Sequence, residues 1–420
     1  MIQRLFLYFF FFTVLTGSSQ NLDELFEKSM RAYNDKQFDR FLTYTQRLDS
    51  MRPAHPRITY NLASAYALNK QEQNSINTLK KLVLMNNTAS FESDSDFVSL
   101  KHLKPYNELS ELKKELSKPI SSSNKVTELS ELDLHPEAIL YLPKHKLWLS
   151  TSIHKKKIVS FDLNTGNCSD WLTDNGLLSV FAIKASKDEK FLWVSTSAMP
   201  EMLGYADEMA GKAEILKVDI ASKTIVQRFS TEGNHVFGDL LVSTTNDVYI
   251  SDSNEPVIYK ISNGKNQMEK WLTLTNEGFN LQGLCFNEDE TKLFIADYLR
   301  GIKIIDMKNL KNTQWMVFPE GYTNKGIDGL VFHKGNLLAI HNGVTPIRIV
   351  SYEINQQKNT ITKATVIDKA REEFMEPTNG CIYNGQFYFI ANSPWSLYQK
   401  DMTLDLVRLK KPLLFSYKLK

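Results

Sequence analysis

Cysteine is scarce in this chain: three residues in 420, Cys168, Cys285 and Cys381. An odd trio excludes a scaffold stapled by disulfides. Cys285 in LQGLCF and Cys381 in PTNGCIY each follow a glycine at the start of an apolar run. They read as small buried hydrophobes in two copies of one element. Net charge is scarce as well. Fifty basic residues against 48 acidic leave +2, which argues against nucleic acid or an anionic membrane as the main partner. With 42% hydrophobic residues the composition is not that of a disordered chain. No G-x-S-x-G stretch marks a serine hydrolase. No helix-borne histidine pair or cysteine cluster suggests zinc. Beyond the opening residues, no stretch approaches the roughly twenty apolar residues that a membrane span needs.

The opening is a separate object. MIQRLFLYFFFFTVLTGSSQ carries one basic residue, Arg4, then an apolar run to Leu15, then small polar residues. That order is the signature of a secretory leader, residues 1–19, cut after Ser19. The expectation is an exported protein, periplasmic or secreted, with no transmembrane segment in the mature chain.

Residues 20–118 carry apolar residues at helical spacing. Leu48 and Met51 recur as Leu82 and Met85, a period of 34. With Ala63 and Ala65 beside Tyr66, this resembles tetratricopeptide repeats. A degenerate third unit follows, with Phe97, Leu100, Leu103, Tyr106 and Leu109 as its stripe. Such arrays offer a concave surface, either to a protein partner or to the domain that follows. Residues 119–125, rich in serine, read as a linker.

From Val126 onward short strands alternate with turns. Six copies of one pattern have equivalent positions at Glu137, Phe181, Asp239, Gln282, Asp328 and Asn379, spaced by 44, 58, 43, 46 and 51 residues. Six units of this length, each of three or four strands, predict a mostly β chain: a six-bladed β-propeller over 126–420 behind a small helical domain. The last copy lacks a fourth strand. Lys125–Leu134 is expected to supply it beside Pro412–Leu419, closing the ring and removing its open edges.

Antiparallel strands put the start of each innermost strand and the loop between the second and third strands on one face. That gathers Glu137, Asp239, Gln282, Asp328 and Asn379 around the channel mouth, with His154, Tyr298, Arg300, His341 and Asn342 on the loops. Two long loops, 198–211 and 393–411, bring Met202, Leu203, Tyr205 and Trp395 as possible walls. Carboxylates and amides converging on one opening suit a hard divalent cation such as Ca²⁺. Two acids side by side, Glu137 and Asp328, repel unless a cation or proton separates them.

HPEAILY, LQGLCF with KLFIAD, GIDGLVF, and PTNGCIY with FYFIANS resemble the senescence marker/gluconolactonase family of six-bladed propellers. The likeness covers roughly Val126 to Lys420. It implies hydrolysis of a lactone or related ester with one divalent ion. Glu137 and Asp328 match two of the family's metal ligands. The third falls on Gln282, where the family has Asn. The resemblance makes Asp328 also the catalytic acid or base. It places Asp239 and Asn342 on the substrate, and Asn379, His154, Tyr298 and Arg300 complete the expected substrate-binding set. The competing reading is a non-catalytic propeller that binds a small ligand or a protein, with the helical array as interaction domain. Gln282 and the array favour it; the Glu/Asp pair favours the hydrolase.

Overall fold

The computed structural model describes residues 16–275 and 277–419, with side chains from Asn21 onward. Most of the expected leader, residues 1–15, lies outside the described residues, and Thr16 already opens the first helix. Among the described residues no helix is long and apolar enough to cross a membrane.

The helical domain is two hairpins and a shortened third unit. The helices are α1 (Thr16–Asn34), α2 (Phe38–Met51), α3 (Pro56–Leu68), α4 (Glu72–Met85) and α5 (Lys104–Ser117). Lys36 and Lys70, in the two tight turns, adopt positive φ. Leu25, Phe41, Leu42 and Leu48 bury the stripe of the first hairpin; Leu62, Ala63, Ala65, Ile76, Leu79 and Leu82 bury that of the second. In the third unit a 3₁₀ turn, Ser95–Leu100, stands where a first helix would be. Tyr60 of α3 donates its hydroxyl to Asp94 at 2.5 Å, and Tyr33 of α1 donates to Asp96 at 3.1 Å. Phe91, Phe97 and Leu100 are fully buried beneath it.

The rest is a ring of six antiparallel sheets. The innermost strands are Ile139–Leu142, Ser179–Ala185, Phe237–Val242, Leu281–Phe286, Ile327–His333 and Cys381–Tyr383. In the first five blades the chain steps outward strand by strand. The sixth closes the ring: Asn124–Glu128 pairs antiparallel with Leu413–Lys418, which pairs with Gln386–Ile390. The amino-terminal strand is thus the outermost strand of the last blade, as the sequence pattern requires. The segment expected as a linker contains a short strand. Ile120–Ser121 pairs with Asp368 and Lys369 as a fifth strand on blade five.

Gly283, Gly329 and Gly380, which follow the equivalent positions of blades four to six, let innermost strands approach one another. A Cβ on Gly283 would lie 2.7 Å from the Asp328 carbonyl and 2.7 Å from the Leu330 nitrogen. Cys285 and Cys381 sit on innermost strands, buried and unpaired; Cys168 is also free.

The helical domain is fastened along blade five. Asn87 N–H donates to the Thr345 carbonyl, and Thr345 N–H donates to the Met85 carbonyl, both at 2.9 Å. The buried Arg348 guanidinium donates to the Leu84 carbonyl at 2.6 Å, satisfying an end of α4. Lys369 donates to the Glu115 carbonyl of α5 at 2.8 Å.

Candidate ligand site at the channel mouth

Glu137 precedes the first innermost strand, where His135 turns the chain with φ of 48° and Pro136 follows. Its carboxylate oxygen Oε1 accepts from the Trp395 indole and from the Ser393 hydroxyl, the latter at 3.3 Å. Both donors come from the second long loop. His135 itself is fully buried, its Nδ1 2.8 Å from the Tyr398 hydroxyl and its Nε2 3.9 Å from Glu137 Oε1. The edge-on Trp395 ring packs 4.4 Å from it, centroid to centroid.

Asp328 begins the innermost strand of blade five, and Asn342 follows the second strand of the same blade. Asn342 Nδ2 donates to Asp328 Oδ2 at 2.8 Å and to the Pro377 carbonyl at 3.2 Å. Tyr298 reaches in from blade four and lies against Gly343; a Cβ there would be 2.4 Å from its ring. Across the channel, Asn379 Nδ2 donates to Asp239 Oδ2 at 3.0 Å, joining blade six to blade three. Asp239 also accepts from the backbone of Leu240 and Leu284, so it acts as a buried brace.

The site contains a third carboxyl that sequence reasoning missed. Glu376, in the loop before the last blade, has Asp328 near enough to raise its pKa. Burial pushes Asp328 up to about 7, against the opposing bond from Asn342. Burial and then Asp328 push Glu376 up to about 8. Glu137 is raised by burial first, then by Asp328 and, more weakly, by Glu376. Like charges confined together hold protons that single carboxyls would release. An apolar wall adjoins Glu137 through Trp395: Phe181, Ile153 and Met199, with Val236 and Trp395 packed on them.

Other expected residues are held elsewhere. Gln282 Nε2 donates to Asn280 Oδ1 at 2.6 Å, and no hydrogen bond joins its amide to Glu137 or Asp328 among the described residues. The Arg300 guanidinium lies over the Phe279 ring at 4.9 Å and the Trp315 ring at 6.0 Å, on the flank of blade four. His154 Nδ1 is bonded to the Glu201 carbonyl at 2.7 Å, tying the 198–211 loop to blade one. Met202 packs into its own loop against Leu178 and Ala198, and Leu203 is exposed. Met199, not Met202, is the loop's contribution to the wall.

Among the described residues, one group of three His or carboxylate side chains has donor atoms all within 4.8 Å of one another: His235, Asp252 and Glu255. It is a clasp. His235 Nδ1 faces Asp252 Oδ2 at 2.7 Å and Nε2 faces the Glu232 carbonyl at 2.8 Å. Both neighbours accept, so both ring nitrogens carry protons and neither has a lone pair for a metal. Burial opposes the charge, but the bonds to Asp252 and Glu232 outweigh it and raise the pKa. A raised folded pKa contributes stability that is complete below the unfolded value near 6.5 and is lost as pH climbs through the folded value. The stability gap between the native protein and His235→Gln is therefore expected to shrink as pH rises above about 6.5. Urea midpoints at each pH check this; a gap that stays constant or widens would refute the charged clasp.

No family model and no curated protein sequence matches this chain. Solved structures do resemble it. A PQQ-bound aldose sugar dehydrogenase from Streptomyces coelicolor is 11% identical, with 72% of this chain and 98% of that chain covered and a TM-score of 0.48. A catalytically inactive virginiamycin B lyase from Staphylococcus aureus, solved with quinupristin, is 12% identical over 71% and 99%, with TM-score 0.48. A streptogramin B lyase is 14% identical over 73% and 89%, with TM-score 0.45. Likeness at this level carries nothing about ligand or reaction, which must be argued from the residues.

Proposed function

We propose that this is an exported hydrolase of a sugar lactone or small ester, acting at the channel mouth with one divalent cation, most simply Ca²⁺. The observation that carries the reading is the crowding of Glu137, Asp328 and Glu376, each short of positive charge. The donor set fits a hard ion in kind. Besides the carboxyls, the amide oxygens of Asn342 and Asn379 are buried without a hydrogen-bond partner. Oxygen donors of these types are what calcium takes. Glu137 and Asp328 would hold the ion, with Asn342 rather than Gln282 as the nearest amide in the set. Such an ion, when bound, polarises an ester carbonyl.

The chain's own residues supply the rest. Asp328 is the carboxyl we assign to take a proton from water and return it to the leaving oxygen. Asn342 fixes the oxygen Oδ2 of that carboxyl. Trp395 and Ser393 fix one oxygen of Glu137 and leave the other for a ligand. The wall of Phe181, Ile153 and Met199 keeps bulk water from one side.

The second reading, a binding propeller without turnover, is favoured by Gln282, whose amide is spent on Asn280. Titration calorimetry with CaCl₂, followed by a lactone and ester panel, separates the two. Saturable Ca²⁺ binding is expected, weakened at least about tenfold, or ~1.4 kcal/mol, by Glu137→Gln. Binding without turnover of any lactone or ester supports the second reading. No divalent binding overturns the metal-dependent one.

A further inference from the structure

We propose that the face opposite the channel mouth carries a second site, for a phosphate group, held by Lys190, Lys217 and Lys265 in a cleft between blades two and three. It shares no residue with the mouth and rests on nothing argued for it. Its place follows from the strand order. The turn 186–190 joins the innermost strand of blade two, Ser179–Ala185, to the second, Phe191–Ser197. The turn 262–265 leaves the third strand of blade three, Val257–Ile261. Both turns sit at the strand ends remote from Asp239 and the mouth loops. The cleft between them has a volume of about 260 Å³.

Its lining is made of donors and carries excess positive charge. Lys190, Lys217 and Lys265 stand there against one acid, Asp188. Among the described residues none of the three lysines forms an ion pair. Asp188 is engaged by its own turn: Oδ1 accepts from the Ser186 hydroxyl at 2.6 Å and from the Lys190 N–H at 3.1 Å. Asn246, from blade three, gives its carbonyl oxygen to the Lys187 N–H at 3.2 Å, which fixes its amide and leaves the NH₂ as a further donor. Two of the lysines are also held in place. The Lys217 ammonium lies 4.1 Å from the Phe191 ring centroid and 5.4 Å from that of Trp193, and the Lys190 ammonium lies 5.3 Å from Phe191. Trp193 is itself buried between the blades with Phe229 and Val248. An aromatic face attracts an ammonium but leaves its charge uncompensated. Two ammoniums gathered at one ring, with Lys265 on the neighbouring blade's turn, call for a dianion; a carboxylate offsets only one charge. A phosphate monoester carries about −1.5 to −2 charges near pH 7 and three strong acceptor oxygens. Lysine binds such a group as a point charge. The cleft falls just below the range of about 300–1,000 Å³ that encloses a drug-sized ligand, which suits a phosphate with a small body attached.

The test titrates inorganic phosphate, glucose 6-phosphate and glucose into the full-length mature protein in EDTA, so that no cation at the mouth contributes. Both phosphates are expected to bind with Kd below about 1 mM, and glucose is not. Lys217→Met, which keeps an apolar stem over Phe191, should weaken phosphate binding at least about tenfold, and Lys217→Arg should retain part of it. Lys223→Met, in an exposed turn of blade two outside the cleft, should leave affinity within about twofold. Tighter binding of glucose 6-phosphate than of phosphate assigns the site a phosphate ester; equal binding assigns it the free ion. No saturable binding of either phosphate overturns the proposal, as does glucose binding as tightly as its phosphate. So does undiminished binding by a folded Lys217→Met protein, or an equal loss in Lys223→Met, which would reduce the site to a diffuse surface field.

Discussion

Asp368→Ala should cost the protein about 3–5 kcal/mol of unfolding free energy, the range for breaking a buried, hydrogen-bonded charge pair. Asp368 is fully buried. It accepts from the Ser122 and Ser123 backbone at 2.9 and 3.2 Å, from the Ser123 hydroxyl at 2.5 Å, and from Arg371 at 3.3 Å. Arg371 also donates to the Ser123 carbonyl and lies 4.6 Å over the Phe415 ring. This carboxylate ties down the chain between two strands: Ile120–Ser121 on blade five and Asn124–Glu128 on blade six. Removing it strands two buried backbone donors and the Ser123 hydroxyl at the seam of the ring, and leaves Arg371 with Glu373 and the Ser123 carbonyl as its partners. Asp368→Asn keeps an acceptor and is expected to cost less, about 1–3 kcal/mol. Guanidinium denaturation read by tryptophan fluorescence measures both. A loss under about 1 kcal/mol for the alanine variant would show that the seam holds without this cluster.

Asp328→Asn is the second large effect expected, and it falls on rate instead of stability. General acid–base catalysis by one side chain contributes about 10²–10⁴-fold. The variant should lose kcat on that scale against the best lactone or ester while its unfolding midpoint holds, because the amide preserves the shape and can still accept from Asn342. The replaced carboxyl is the one nearest neutrality, at about 7. A loss below tenfold with unchanged KM would remove Asp328 from the proton-transfer role.

The ring was legible in sequence because each blade repeats the same turn-bounded strands at a spacing of about forty to sixty residues. The closing strand was legible for a related reason: a last copy one strand short needs a partner from elsewhere. Ile120–Ser121 was not legible, since two residues carry no periodicity and their pairing depends on where blade five ends. The 3₁₀ turn at Ser95–Leu100 keeps a helix-like apolar stripe, so pattern alone could not separate it from a helix. At the mouth, Glu137, Asp328 and Asn342 came from equivalence between repeats. Glu376 lies outside that equivalence, three residues before Asn379, and nothing in EPTNG shows that Asp328 lies near enough to raise its pKa. Arg300 and Gln282 sit at plausible positions, but local partners claim them: two aromatic rings for one and Asn280 for the other. Register predicts where a side chain starts and says little about which neighbour holds its end.

The bonds of Met85 and Asn87 to Thr345 act as a splint on the mouth. Thr345 lies three residues beyond Asn342 on the same loop, and its backbone is gripped on both sides by the end of α4. That loop cannot swing away from Asp328 without undoing the helical domain's hold. A chain cut back to the ring alone would lose this splint along with the strand at Ile120–Ser121. The helical array is thus part of the scaffold that holds Asn342 in place, whatever else it binds.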